Sequence, residues 1–226
     1  MITFPTLLAM GVPPIVANVT NTVALCPGFA GGILAQLKDL SGQRRRFWVF
    51  LSASAAGGVV GSLLLLSTGE RIFQAMVPYL ILIASCLLGI QGLIRVWLLR
   101  RSTKTPVQSK SEIWAVVLVG LAAIYGGYFG VAMSVVVLCL LAWMINDTLT
   151  RLNAIKQTIA FGANGAAAVI FIFSGKVLWL IAIVMAIGAL AGGALGGRLA
   201  GHIKPDTLRW TVVAIGITLS IIYFAR

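Results

Sequence analysis

The chain has 226 residues, 60% of them hydrophobic and 10% charged, with a mean hydropathy of +1.04. Soluble domains are about half apolar and a quarter charged, so this composition excludes an ordinary soluble globule and predicts a polytopic membrane protein. The formal charge of +12 does not point to nucleic acid, because the bases border apolar runs of about 20 residues, where membrane orientation and anionic headgroups account for them.

Met1–Met10 is a short apolar piece without the basic start or small-residue cleavage site of a secretory signal, and at about 1.5 Å per residue it is too short to span. After Gly11-Val12-Pro13-Pro14, a first full span runs from Ile15 to about Leu37, unusually polar at Asn18, Thr20, Asn21 and Thr22. A basic loop, Lys38–Arg46, leads to a second span over about Phe47–Ser67 and a turn at Thr68-Gly69-Glu70-Arg71. The third span, about Ile72–Leu99, contains Pro78, which predicts a kink. Arg100–Ser111 reads as a polar linker. Glu112–Ala123 and Val131–Ile145 then read as two half-length helices around a break at Gly126, Gly127 and Gly130, with Asn146-Asp147-Thr148 as a cap or turn. Spans over about Leu149–Phe173, Val177–Leu199 and Thr207–Tyr223 complete the chain.

The two halves are related. A shift of 135 positions takes Asn18 to Asn153, Gly57 to Gly192, Gly58 to Gly193 and Gly61 to Gly196. Equivalent loops carry opposite charge bias. Lys38, Arg44, Arg45 and Arg46 face a counterpart holding only Lys176, while the neutral Glu70-Arg71 turn faces a region with Arg198, Lys204 and Arg209. The positive-inside rule therefore predicts inverted repeats, with the linker inside and Lys176 outside. The expected fold is all-α: a polytopic integral membrane protein of two inverted repeats, each a broken or re-entrant helix pair plus three transmembrane helices. Residues 1–99 form the first repeat, 100–111 a cytoplasmic linker and 112–226 the second repeat. Two full crossings in place of the re-entrant pair satisfy the same charge pattern. Residues 112–135 have counterparts only before Met1, so the first repeat reads as N-terminally incomplete, with about 20 to 30 upstream residues needed to restore it.

Candidate functional residues follow from the cost of polarity in lipid. A broken helix leaves N–H groups and a positive dipole end that suit an anion, provided the break is buried or lines a cavity. Gly126, Gly127 and Gly130 supply the break; glycines for helix packing are the alternative. Lys156 adds a positive charge inside an apolar run, and Asn153 and Gln157 add donors one turn or less away. Snorkelling of Lys156 to a headgroup is the bland reading. Asn18, Asn21 and Thr22 are the first-half counterparts, with Asn21 in place of the lysine, and interhelical hydrogen bonding explains them nearly as well. Asn164 is a weaker candidate, and Asp147 reads as a cap before a proton-coupling carboxylate. The Gly57/Gly58/Gly61 and Gly192/Gly193/Gly196/Gly197 sets read as packing seams. Cys26, Cys86 and Cys139 have no metal-like spacing, and His202 stands alone in a loop. No catalytic pair, metal site or cofactor motif is expected, and an enzyme is disfavoured.

The segments IYGGYFGVAMSV, LNAIKQT, FSGKVLW and GALAGGALGGRLAGHI, in that order, resemble the second half of the TauE/SafE sulfite exporter family, and MITFPTLLAMGVPPIVANVTNTVALCPGFAGG resembles its first half from partway in. The likeness covers nearly the whole chain, though the glycine-rich segment usual upstream of the proline-containing stretch is missing. The resemblance implies a permease for small anions, often sulfite or organosulfonates. The expected function is thus transport of such an anion by alternating access, with an anion channel as the close variant and a non-transporting membrane subunit or assembly factor as the alternative. The expected partners are a small anion and the lipid bilayer, without nucleic acid and with homo-oligomerisation left open. The expected location is the cell (inner or plasma) membrane.

Overall fold

The computed structural model of the chain describes residues 3–102, 112–131, 133–145 and 147–199, together with 214 and 218. Its helices are α1 (Thr3–Ala9), α2 (Pro14–Ala35), α3 (Arg44–Ser67), α4 (Glu70–Ser102), α5 (Glu112–Tyr128), α6 (Met133–Met144), α7 (Leu149–Phe173) and α8 (Trp179–Leu199), and no strand occurs among the described residues. The chain is an all-helical, multi-pass membrane protein. Among the described residues, α3, the first part of α4 and α7 are long and apolar enough to cross a bilayer. The last expected span lies outside the described residues apart from 214 and 218, both helical, as do most of the linker, His202 and Asn146.

Local chemistry sets the helix ends. Thr148 caps α7, its hydroxyl accepting the Arg151 N–H at 3.4 Å, so the expected Asn146-Asp147-Thr148 cap falls on Thr148. Pro14 opens α2, where a missing N–H costs nothing, and the next N–H, of Ile15, donates to Glu70 Oε1 at 2.9 Å. α4 continues as one helix through Pro78. α2 continues likewise through Pro27, which cannot donate to the carbonyl of Val23 and so frees an acceptor in mid-helix.

Glycine decides how closely the helices approach. A Cβ on Gly57 would meet the Gly120 carbonyl oxygen at 2.5 Å and Ala123 Cβ at 2.7 Å, one on Gly61 would meet the Ile124 carbonyl, and one on Gly127 would meet the Gly58 backbone. Numbers rise together on the two helices, so α3 and α5 run in the same direction with their backbones in contact. This is the small-residue packing expected of Gly57, Gly58 and Gly61. The packing of Gly192, Gly193, Gly196 and Gly197 lies outside the described residues.

α2 and α7 pack the other way: Gly32 lies against Gln157 and Gln36 against Asn153, so they are antiparallel. The helix limits also follow the 135-position shift. Ala9 at the end of α1 falls on Met144 at the end of α6, Pro14 on Leu149 at the starts of α2 and α7, and Arg44 on Trp179 at the starts of α3 and α8.

Two apolar clusters hold the bundle. One gathers Phe4, Ile15, Val19, Phe73, Val77, Phe129 and Phe171; the other gathers Phe50, Val119, Val137, Leu141, Leu152 and Ile155. Aromatic side chains mark the edges of the lipid-facing zone. Trp48 and Trp114, 59% and 64% exposed, stand at the starts of the parallel helices α3 and α5, while Phe173 and Trp179, 85% and 53% exposed, flank the α7–α8 turn. α7 covers about 33 Å from Arg151 to Phe173, the depth of a hydrocarbon core.

Candidate functional site

The chain breaks helical geometry after Tyr128. α5 runs through Gly126 and Gly127 rather than stopping at Ala123, because both glycines fit inside the helix where neighbours crowd it: Gly127 against the Gly58 backbone and Gly126 against the Met133 sulfur. The break itself begins at Phe129, where α5 has ended and before α6 starts at Met133. Gly130 sits at φ +74°, the left-handed region glycine enters without Cβ strain. The N–H groups of Phe129 and Gly130 both donate to the Tyr125 carbonyl, at 2.9 and 3.3 Å, and Tyr125 returns its hydroxyl to the Val131 carbonyl at 2.8 Å. Asn18, 2% exposed, donates Nδ2 to the Tyr128 carbonyl at 2.8 Å, which brings this predicted residue to the predicted break.

The break is packed against protein, with Phe129 buried and Gly130 and Val131 half-buried, as irregular backbone within a bilayer would have to be. The Phe129 ring meets Phe4 edge-on at 5.4 Å, and Asn164 lies alongside Gly130, its Oδ1 3.6 Å from where a Cβ would stand. The Asn164 amide donates to its own helix at Ala160. At the start of α6, the Met133 N–H reaches the Gly130 carbonyl at 3.4 Å, so this donor is engaged within the chain. The break lies beside the first turns of α2, not at the centre of the bundle. From it α5 extends about 25 Å and α6 about 18 Å, and α6 is too short to cross.

Asn153, Lys156 and Gln157 occupy the first turns of α7, at the other end of α2. Asn153 Nδ2 donates to Gln36 Oε1 at 2.9 Å. Gln157 lies so close to Gly32 that a Cβ there would stand 2.8 Å from its Nε2. Lys156 is half-buried on the same stretch, and its ammonium has no hydrogen-bond or ion-pair partner among the described residues. Gln36 is absent from the expected site residues; its signal in the sequence is an amide at the tail of the first apolar run.

Asn21 accepts the Thr3 hydroxyl at 2.5 Å, Thr20 Oγ1 accepts the Leu178 N–H at 3.1 Å just before α8, and Thr22 is buried. The predicted residues therefore form two groups. Eighteen positions of α2 separate Asn18 from Gln36, about 27 Å of helix, and eight positions of α7, about 12 Å, separate Lys156 from Asn164. Between the groups runs the α2–α7 seam.

At the Lys156 end, charge closes the bundle surface. Arg46 Nη1 donates to Asp147 Oδ2 at 3.3 Å, Arg151 Nε stands 3.4 Å from Asp147 Oδ1, and Arg151 Nη2 donates to the Ser41 carbonyl at 3.4 Å. At the opposite end, a cavity of about 730 Å³ opens between the α1–α2 turn and α4, lined by residues that include Pro13, Glu70, Arg71 and Gln74. Among the described residues no three His, Cys, Asp or Glu side chains converge as metal ligands would.

Curated proteins similar to the chain include three named as probable membrane transporter proteins. One from Haemophilus influenzae is 27% identical over 204 residues, covering 88% of this chain and 76% of its own. Protein ORF9 from Sinorhizobium is 25% identical, covering 98% and 82%, and YfcA from Escherichia coli is 23% identical, covering 97% and 80%. No solved structure matches the chain. The family model for the sulfite exporter TauE/SafE matches residues 1–223, in agreement with the order of the GGYFG and NAIK segments along the chain, and the protein belongs to that family.

Proposed function

We propose that the chain transports a small anion across the cell membrane, with sulfite or an organosulfonate as the substrate class, by alternating access. Lys156 is the observation that carries this reading. An ammonium held among packed membrane helices is costly unless it meets a counter-charge or a wet cavity, and no carboxylate meets it among the described residues. A translocated anion supplies the missing charge. Asn153 and Gln157 flank it with amide donors. Asn18, Asn21 and Thr22, engaged with Tyr128, Thr3 and the α2 interior beside the Gly126–Gly127–Gly130 stretch, frame the other end of the path without holding the anion. The anion passes between the two ends along the α2–α7 seam.

Family membership supports transport, and so do the transporter names of the relatives. Two inverted repeats, residues 1–99 and 112–226 about the linker 100–111, supply the two-fold relation that alternating access uses. Their support is the 135-position agreement of helix limits and the antiparallel packing of α2 on its counterpart α7. In this reading the basic loop and the linker face the cytoplasm.

Anion flux into proteoliposomes tests the proposal, with sulfite, sulfate, a sulfonate and chloride offered to wild type, Lys156→Ala and Lys156→Arg. Saturable flux of one anion, abolished by alanine and partly kept by arginine, is expected. Wild-type flux indifferent to Lys156→Ala would remove the lysine from the path. No flux of any of the four would overturn the transport reading.

A further inference from the structure

The charged cluster at the Lys156 end brings two guanidinium groups, from Arg46 and Arg151, to the carboxylate of Asp147. The contacts are loose: 3.3 and 3.4 Å, where charge-assisted hydrogen bonds are usually about 2.7–2.9 Å. Arg151 Nε is buried and makes no hydrogen bond, since its approach to Asp147 Oδ1 lacks the required geometry. A buried N–H donor left unspent is costly and is rarely kept without use. Arg151 also stands five positions before Lys156 on α7, about 7.5 Å along the axis, directly beyond the Gln36–Asn153 amide pair.

We propose that Arg46 and Arg151 form a second anion site at this end of the α2–α7 seam, which the Asp147 carboxylate fills from within until a passing oxyanion displaces it. Planar guanidinium forks match the oxygens of a sulfite, sulfate or sulfonate group, and the unspent Nε–H is the donor the incoming anion takes. Displaced from the arginines, Asp147 keeps the Thr148 N–H, which donates to its Oδ1 at 2.8 Å. Exchange of one anion for another avoids baring two cations at once. It also loosens the joint between the Ser41 loop, α3 and the α6–α7 turn at the moment the substrate arrives. The proposal rests on the chain being an anion transporter, and it adds to that reading a site where substrate and protein carboxylate compete.

Equilibrium binding separates this inference from the transport reading. The full chain in phosphatidylcholine nanodiscs is titrated with sulfate and with sulfite at constant ionic strength. Wild type is compared with Asp147→Asn, Asp147→Asn/Arg151→Gln and Asp147→Asn/Lys156→Ala. Removing the competing carboxylate should tighten binding of at least one of the two anions about tenfold. The gain should vanish with Arg151→Gln and survive Lys156→Ala. Asp147→Ser carries the same expectation should the asparagine variant not fold. Equal affinity in wild type and Asp147→Asn, or a gain that persists without Arg151, would overturn the site. Repeating the titration in phosphatidylglycerol nanodiscs distinguishes a free anion from a lipid headgroup, and a gain abolished there would assign the arginines to lipid and overturn the substrate role. If flux fails in the transport assay while the Arg151-dependent gain remains, the transport reading falls and the anion site stands.

Discussion

The two ends of the α2–α7 pair put their polar side chains to different uses. At the break end, side chains serve backbone: Asn18 holds the Tyr128 carbonyl, Tyr125 the Val131 carbonyl, and Thr20 and Glu70 the N–H groups leading into α8 and α2. At the basic end, side chains serve mainly side chains, the Arg151 bond to the Ser41 carbonyl apart: Gln36 holds Asn153, and Asp147 holds Arg46 and Arg151, with Lys156 left over. The contrast extends to pseudo-equivalent positions. The shift that relates the halves carries Asp147 back to Val12 and Arg46 on to Ile181, and both of those pack against the apolar cluster around Phe4 and Phe171. One end is stitched by greasy contact and the other by charge. Polar residues in membrane helices thus divide into those that repair irregular backbone and those that remain available to a ligand, and only the second kind should affect flux without affecting folding.

Substitutions can break that division. Gly127→Val should have the largest effect, because its side chain would enter the Gly58 backbone; a loss of about 3 kcal/mol or more, read as collapse of monodisperse yield in detergent, is expected. Asn18→Leu leaves the Tyr128 carbonyl buried without its partner and should cost about 1–3 kcal/mol, measured by chemical unfolding in mixed micelles. An Asn18→Leu protein of unchanged stability but lost flux would place Asn18 with the ligand instead. Gly130→Ala forces a Cβ into the left-handed region and should lower stability by about 1 kcal/mol, seen as a lower thermal midpoint. Asn153→Ala should lie at the bottom of the scale, within about 1 kcal/mol of wild type in stability, since Gln36 is only partly buried, yet it should slow flux severalfold.

Much of the scaffold could be read from the residues alone. Hydrophobic length located α3, α4 and α7, the Asn146-Asp147-Thr148 segment read as the cap or turn before α7, and Gly57, Gly58 and Gly61 announced a close helix contact. The break is legible to within a turn, but its start is not: a glycine that opens a turn and one that admits a neighbouring backbone have the same sequence signature, and of Gly126, Gly127 and Gly130 it is Gly130 that takes the left-handed conformation. The site was harder to assemble. Asn18 and Asn153 are counterparts, and counterparts suggest a shared pocket, but antiparallel packing of α2 on α7 sends them to opposite ends. Gln36 escaped notice because its partner lies 117 positions away, a pairing no local pattern encodes.

The glycine contact between α3 and α5 has a mechanical consequence. It fuses a helix from before residues 100–111 to one from after them, with main chain touching main chain. Any motion that leaves this contact intact carries α3 and α5 as one piece, so the moving bodies of the molecule cannot coincide with its two sequence halves. Chains cut within the linker and produced as separate fragments should therefore recognise each other through that interlock.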